Sequence, residues 1–86
     1  MARGSKSFTV SVLSESGVVY YGDCEILTVP AMKDSITILP NHTPLITKLG
    51  KGPVTIGTGR NKQKLIDIKS GLLYVGDNEA SVLVDL

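Results

Sequence analysis

Hydrophobic residues in this chain recur with a period of two, and nowhere with the period of a helix. Phe8, Val10 and Val12 alternate with Thr9 and Ser11, the pattern of a strand with one dry face and one wet face. No segment keeps apolar residues at i, i+3, i+4 and i+7 across a window of about 11 residues. Turn chemistry interrupts the strand-like runs at short intervals. Ser14-Glu15-Ser16-Gly17 forms one such break, with Gly17 free to take a left-handed backbone. Val18 to Tyr21 resumes the strand, and Gly22-Asp23 predicts a bulge or bend. Cys24 to Val29 continues extended as far as Pro30.

The second half repeats the scheme. Leu49 to Pro53 reads as a loop, Val54 to Ile56 as a short strand, and Gly57 to Lys62 as a hairpin end. Gln63 to Ile68 and Leu72 to Val75 are strands, Gly76 to Glu79 is a tight connection, and Ala80 to Leu86 is the last strand. A lone sheet with no helix against it would leave its apolar side wet. The pattern therefore predicts an all-β fold, a two-layer antiparallel β-sandwich.

Length and charge narrow the function classes. A chain of 86 residues makes one domain, and buries roughly 60–65% of the surface its unfolded form exposes. The formal net charge is +1, with no block of like charge to draw in nucleic acid or an anionic membrane. The single cysteine, Cys24, has no partner for an internal disulfide, which fits a reducing compartment or simple indifference to redox. No apolar run approaches the roughly 20 residues a membrane helix needs. Residues 1–7 lack an apolar core behind their basic residues and read as a flexible segment rather than a secretory signal. Residues 8–86 form the predicted domain.

Reactive groups are scarce. One histidine and one cysteine fall short of the three or four ligands a zinc site takes, and no other metal or cofactor site is legible. A Cys24–His42 dyad is conceivable for nucleophilic catalysis, yet Cys24 lies in an alternating strand, the place of a small core hydrophobe. Gly50-Lys51-Gly52 and Gly57-Thr58-Gly59 have no following helix to hold phosphate and read as turns. Asn41-His42-Thr43 matches a glycosylation sequon without a secretory signal beside it. Lys62, Lys64, Lys69 and Arg60 surround Asp67, the make-up of a solvated sheet edge; a nucleic-acid groove would want stacking aromatics as well.

One stretch stands apart. Val29 to Thr47 holds three of the four prolines and the only histidine. Pro40 and Pro44 brace His42 in a corner, where the imidazole either bonds local backbone and holds the turn or makes a polar contact with a partner protein, since a rigid loop loses little ordering entropy on binding. Met32 and Lys33 sit at the tip of the preceding turn, where methionine is either a loop residue or an adaptable interface contact.

This stretch resembles the epsilon subunit of rotary F-type ATP synthases (delta in mitochondria). That family carries a Val-x-[Pro/Thr] strand end, a turn, and then Ile-[Leu/Tyr]-Pro-x-His-x-Pro-Leu-[Leu/Ile]-Thr. Here these are Val29-Pro30 and Ile38-Leu39-Pro40-Asn41-His42-Thr43-Pro44-Leu45-Ile46-Thr47. Gly17-Val18-Val19-Tyr20, Ser70-Gly71-Leu72-Leu73-Tyr74-Val75 and Ser81-Val82-Leu83-Val84-Asp85 resemble further family segments, in order. The likeness runs from about Phe8 to Leu86.

The resemblance implies a sandwich of about ten strands and a non-catalytic rotor part with no cofactor, serving ion-gradient-coupled ATP synthesis. It implies two partners, the gamma subunit and the membrane c-ring. Ser14, His42 and Thr47 carry over toward gamma, and Ala31, Met32, Lys33, Asp34 and Ser35 toward the ring. It also implies a peripheral position on the cytoplasmic face of a bacterial plasma membrane, or the equivalent face of an organelle membrane. The sequence departs from the family in its turn. Ala31, Asp34 and Thr37 stand at positions that are commonly glycine, and Ser35 stands where bacterial members carry an acid. Asp34 is expected to keep the turn shape by tolerating a left-handed backbone; β-branched Thr37 is expected to be ordinary strand. The likeness covers the sandwich alone, without the inhibitory carboxy-terminal helical hairpin usual in the family. The rival readings are a nucleic-acid-binding β-module and a small β-hydrolase.

Overall fold

The computed structural model describes residues 7–58 and 62–86. The expected flexible segment therefore lies almost wholly outside the described residues, as do Gly59, Arg60 and Asn61 of the expected hairpin end. Nine strands follow in chain order: β1 (Phe8–Ser14), β2 (Gly17–Cys24), β3 (Ile26–Pro30), β4 (Ser35–Ile38), β5 (Leu45–Leu49), β6 (Gly52–Gly57), β7 (Gln63–Ile68), β8 (Ser70–Gly76) and β9 (Glu79–Asp85). They form a five-stranded sheet ordered β2-β1-β9-β8-β5 and a four-stranded sheet ordered β4-β3-β6-β7. The all-β two-layer expectation holds, with nine strands among the described residues where about ten were expected.

Strand direction and the bulge differ from the sequence reading, as does the expected Leu49 to Pro53 loop, of which Leu49 lies in β5 and Gly52 and Pro53 in β6. Every pair is antiparallel except β1 with β9, which run parallel in the middle of the five-stranded sheet, from Thr9 opposite Glu79 to Leu13 opposite Leu83. That pairing puts both strands in the interior of the sheet, β1 between β2 and β9, and β9 between β1 and β8. The bulge lies not at Gly22-Asp23 but at Val19, which has no partner between Val12 opposite Tyr20 and Leu13 opposite Val18. Gly22 stays in register opposite Val10, and the Tyr20 hydroxyl donates to the Asp23 carbonyl at 3.1 Å.

The inward face of each strand supplies the core. Phe8, Val10 and Val12 of β1, Leu27 and Val29 of β3, Val54 and Ile56 of β6, Leu73 and Val75 of β8, and Val82 and Val84 of β9 are buried. Each such side chain stabilises the fold by roughly 1.5–3 kcal/mol. Cys24 is fully buried among them, as a small hydrophobe should be. Among the described residues no polar or charged side chain is buried.

The chain changes sheets over very short distances. Glu25 alone separates β2 from β3, and Lys69 alone separates β7 from β8. The amide of Glu25 donates to the Gly57 carbonyl and that of Lys69 to the Asp85 carbonyl, each at 2.7 Å, so neither corner leaves its amide unpaired. The longer crossing, from β4 to β5, is the proline-braced corner.

Candidate protein interface

The stretch from β3 to β5 runs along one flank of the sandwich, because β4 is an edge of one sheet and β5 an edge of the other. At one end of this flank is the turn Ala31 to Asp34, where the Ala31 amide donates to the Asp34 carbonyl at 2.9 Å. Ala31 also bridges Leu49, and the Gly50 amide reaches the Pro30 carbonyl at 2.7 Å. Asp34 does not adopt a left-handed backbone: among the described residues the non-glycine ones with positive φ are Asn41 and Asn78. The turn therefore closes without the glycine conformations its family positions suggest. Thr37 lies in β4 opposite Thr28 and is ordinary strand, as expected.

At the other end the chain turns through Leu39 to Pro44. The His42 amide donates to the Leu39 carbonyl at 3.1 Å, and Asn41 takes a φ of 67°, a conformation asparagine tolerates better than most residues. The imidazole Nδ1 of His42 lies 2.6 Å from the Thr43 carbonyl oxygen. Cys24 points its thiol instead at the Ile26 carbonyl, at 3.1 Å. Four strand spacings of about 4.8 Å separate β2, which ends in Cys24, from β5, into which His42 leads. The two side chains form no dyad.

The structure separates the residues carried over toward gamma. Ser14 closes β1 at the end opposite His42, and its hydroxyl is engaged in the first hairpin, accepting from the Ser16 amide at 3.2 Å and donating to the Gly17 carbonyl at 3.4 Å. Thr47 lies midway along β5, opposite Leu73. Of the residues carried over toward the ring, Met32, Lys33, Asp34 and Ser35 are exposed and Ala31 is half-buried. Ser14 and Met32 line one open groove of about 680 Å³, whose apolar walls include Leu13, Leu49, Leu72 and Leu83.

That groove opens onto a larger surface. Across the outer side of the five-stranded sheet, Tyr21, Ser11, Ser81, Tyr74 and Ile46 lie in one row. Val18, Leu13, Leu83, Leu72 and Lys48 form the next. Tyr21 is 70% exposed, Val18 67% and Ile46 66%. The four-stranded sheet is the opposite in character. Its central outer row is Thr37, Thr28, Thr55 and Leu65, with the Thr28 and Thr37 hydroxyls 3.5 Å apart. One face suits water. The other suits a partner: a largely apolar surface around Ser11 and Ser81, bounded by charges such as Lys48, Asp23, Glu79 and Asp85.

The sequence held a signal for this face. Leu72-Leu73-Tyr74-Val75 and Val82-Leu83-Val84 are continuous apolar runs that break the period of two. A strand that is apolar on both sides is a strand to be covered on both sides.

Comparison with known proteins decides the family. The family model for the beta-sandwich domain of the ATP synthase delta/epsilon chain matches residues 7–86. The chain belongs to this family. Among delta/epsilon relatives, the ATP synthase epsilon chain of Leptospira borgpetersenii serovar Hardjo-bovis (strain JB197) is 41% identical over 76 residues, covering 88% of this chain and 59% of that one. The epsilon chain of Latilactobacillus sakei subsp. sakei (strain 23K) is 36% identical over 87 residues, covering 99% and 60%. The chain thus spans about three fifths of the length of these epsilon relatives. A chain in the cryo-EM structure of the Euglena gracilis mitochondrial ATP synthase, OSCP/F1/c-ring, shares the fold with a TM-score of 0.87 at 12% identity, covering 96% of this chain and 53% of its own. One in the Tetrahymena thermophila mitochondrial ATP synthase central stalk and c-ring gives 0.77 at 17% identity, covering 99% and 67%.

Proposed function

We propose that this domain is a non-catalytic central-stalk subunit of a rotary ATP synthase, joining a gamma subunit to the c-ring and so supporting ion-gradient-coupled ATP synthesis. The observation that carries the proposal is the unequal pair of sheet faces in a delta/epsilon-family sandwich. The outer side of the five-stranded sheet is largely apolar around Ser11 and Ser81, and the outer side of the four-stranded sheet is threonine-lined. A coupling part needs stiffness and a broad interface rather than reactive groups. The dry core, with no buried polar side chain among the described residues, fits that requirement.

In this reading gamma covers the apolar face and the His42 corner, and Ser14 borders the contact at the far end; Thr47, level with buried Leu73 on the inner side of β5, reaches gamma only at the sheet edge. The turn Ala31 to Ser35 faces the c-ring, with Met32 offering an apolar contact there. Ser35 supplies no charge, so ring docking rests on shape and on Lys33 and Asp34. The subunit touches the membrane only through the ring, on the cytoplasmic face of a bacterial plasma membrane or the equivalent face in an organelle.

Mixing the chain with the gamma subunit of the same organism tests this. A complex is expected at micromolar concentration, and Leu83→Asp, which sets a charge at the centre of the apolar face, is expected to weaken it at least tenfold while the variant stays folded. No complex with the unmodified chain would overturn the assignment.

A further inference from the structure

The corner that holds His42 also fixes which side of its imidazole can meet a partner, and how. A carbonyl oxygen only accepts hydrogen bonds. At 2.6 Å from the Thr43 carbonyl, Nδ1 must therefore carry the proton and donate it. A neutral imidazole has one donor and one acceptor nitrogen, so Nε2 is left as the acceptor. Among the described residues Nε2 has no hydrogen-bond partner. The corner around the ring is stiff: Pro40 and Pro44 flank it, the His42 amide is tied to the Leu39 carbonyl at 3.1 Å, and Asn41 holds the left-handed position between them.

We propose that His42 meets the gamma partner as a hydrogen-bond acceptor through Nε2, so that the partner group seated on this corner is a donor, a hydroxyl, an amide N–H or a basic side chain, and not a carboxylate. This rests on the reading of the domain as a gamma-binding stalk subunit, and it adds the chemistry of the contact. A carboxylate at the same place would need a donor at Nε2. That would require either giving up the bond to Thr43 or protonating the ring. A donor needs neither, and the neutral ring enters the complex as the tautomer its bond to Thr43 already selects.

Two substitutions separate the nitrogens. The shorter amide side chain of His42→Asn can still donate to the Thr43 carbonyl but does not reach where Nε2 stands. The longer one of His42→Gln can place an amide oxygen at that reach. His42→Asn is expected to melt within a few degrees of the unmodified chain and to bind gamma about tenfold more weakly. His42→Gln is expected to recover most of that loss. In 15N-labelled protein at mildly alkaline pH, Nδ1 is expected to show the shift of a protonated, pyrrole-like nitrogen and Nε2 that of a pyridine-like one, both free and in the complex. A pyrrole-like Nε2 or a doubly protonated ring in the complex would overturn the proposal and leave the stalk assignment standing. So would undiminished binding by His42→Asn. Failure of the unmodified chain to bind gamma at all would overturn both.

Discussion

Single residues decide how closely the strands approach. Gly71 is the tightest case: a Cβ there would lie 2.5 Å from the Leu83 carbonyl oxygen, and within 3.5 Å of the tips of Ile68 and Leu49. The oxygen belongs to backbone in the middle of the β8–β9 pairing and cannot rotate away. Gly71→Ala is therefore expected to lose about 1–3 kcal/mol of stability, read as a lower midpoint in denaturant; an unchanged midpoint would contradict the contact. Cys24 makes a second case. Burial pushes its thiol above the ordinary value of 9.0, outweighing the hydrogen bonds from its surroundings that act the other way. The folded state then holds the proton more tightly than the unfolded state. Its contribution is complete below the ordinary thiol value and is lost as pH climbs from about 9 toward the folded value. The unmodified chain should lose stability over that range, and Cys24→Ala, compared with itself, should lose less. The thiol should also resist alkylation until the chain unfolds, and rapid labelling of native protein would count against its burial. The role of Cys24 was legible in the sequence, because its place in the alternation decided it. That of Gly71 was not, since its neighbour Leu83 lies on another strand.

At the scale of elements, local alternation sufficed for most strands, and Gly17 and the Gly76–Glu79 turn fell where turn chemistry put them. Pairing was less legible. Nothing local in Phe8-Thr9-Val10 announces that it lies parallel to the last strand, since that pairing spans nearly the whole chain. The bulge followed the same logic: Gly22 suggested one by its residue type, but the register of β1 placed it at Val19. Alternation also predicts different costs for neighbouring strands. Leu73 of β8 is fully buried, whereas Leu83 of β9 is 49% exposed. Leu73→Ala is expected to lose about 2–5 kcal/mol. Leu83→Ala is expected to lose no more than about 1 kcal/mol while weakening the gamma complex. Equal losses in thermal or chemical melts would contradict the assignment of faces. The β7 edge makes a further prediction. Lys64 and Asp67 are exposed on that edge strand, and charge there discourages pairing between molecules. Lys64→Val with Asp67→Val should raise light scattering as concentration increases, and a doubly substituted chain that stays monodisperse would remove that role.

For the molecule as a whole, what matters is the difference between its two outer faces. The family could be recognised from Ile38 to Thr47, but the apolar face could not be assembled from that stretch. Its members come from β1, β2, β5, β8 and β9, and only the sheet order brings Leu13, Leu83 and Leu72 into one row. The runs that break alternation in β8 and β9 pointed to it, and the sheet supplied its extent. The corner and the turn of the proline-rich stretch then stand at opposite ends of one flank, beside that face. A domain so arranged can hold one partner across a sheet and another at its tip.

Methyl cross-saturation from unlabelled gamma into labelled chain measures this most directly, because it reports which methyl groups the partner covers. Ile46, Leu13, Leu72 and Leu83 should lose intensity in the complex, while Leu65 and Ile26, which are exposed on the other sheet, keep theirs. Attenuation centred on Leu65 and Ile26, with Leu72 and Leu83 unaffected, would contradict the account.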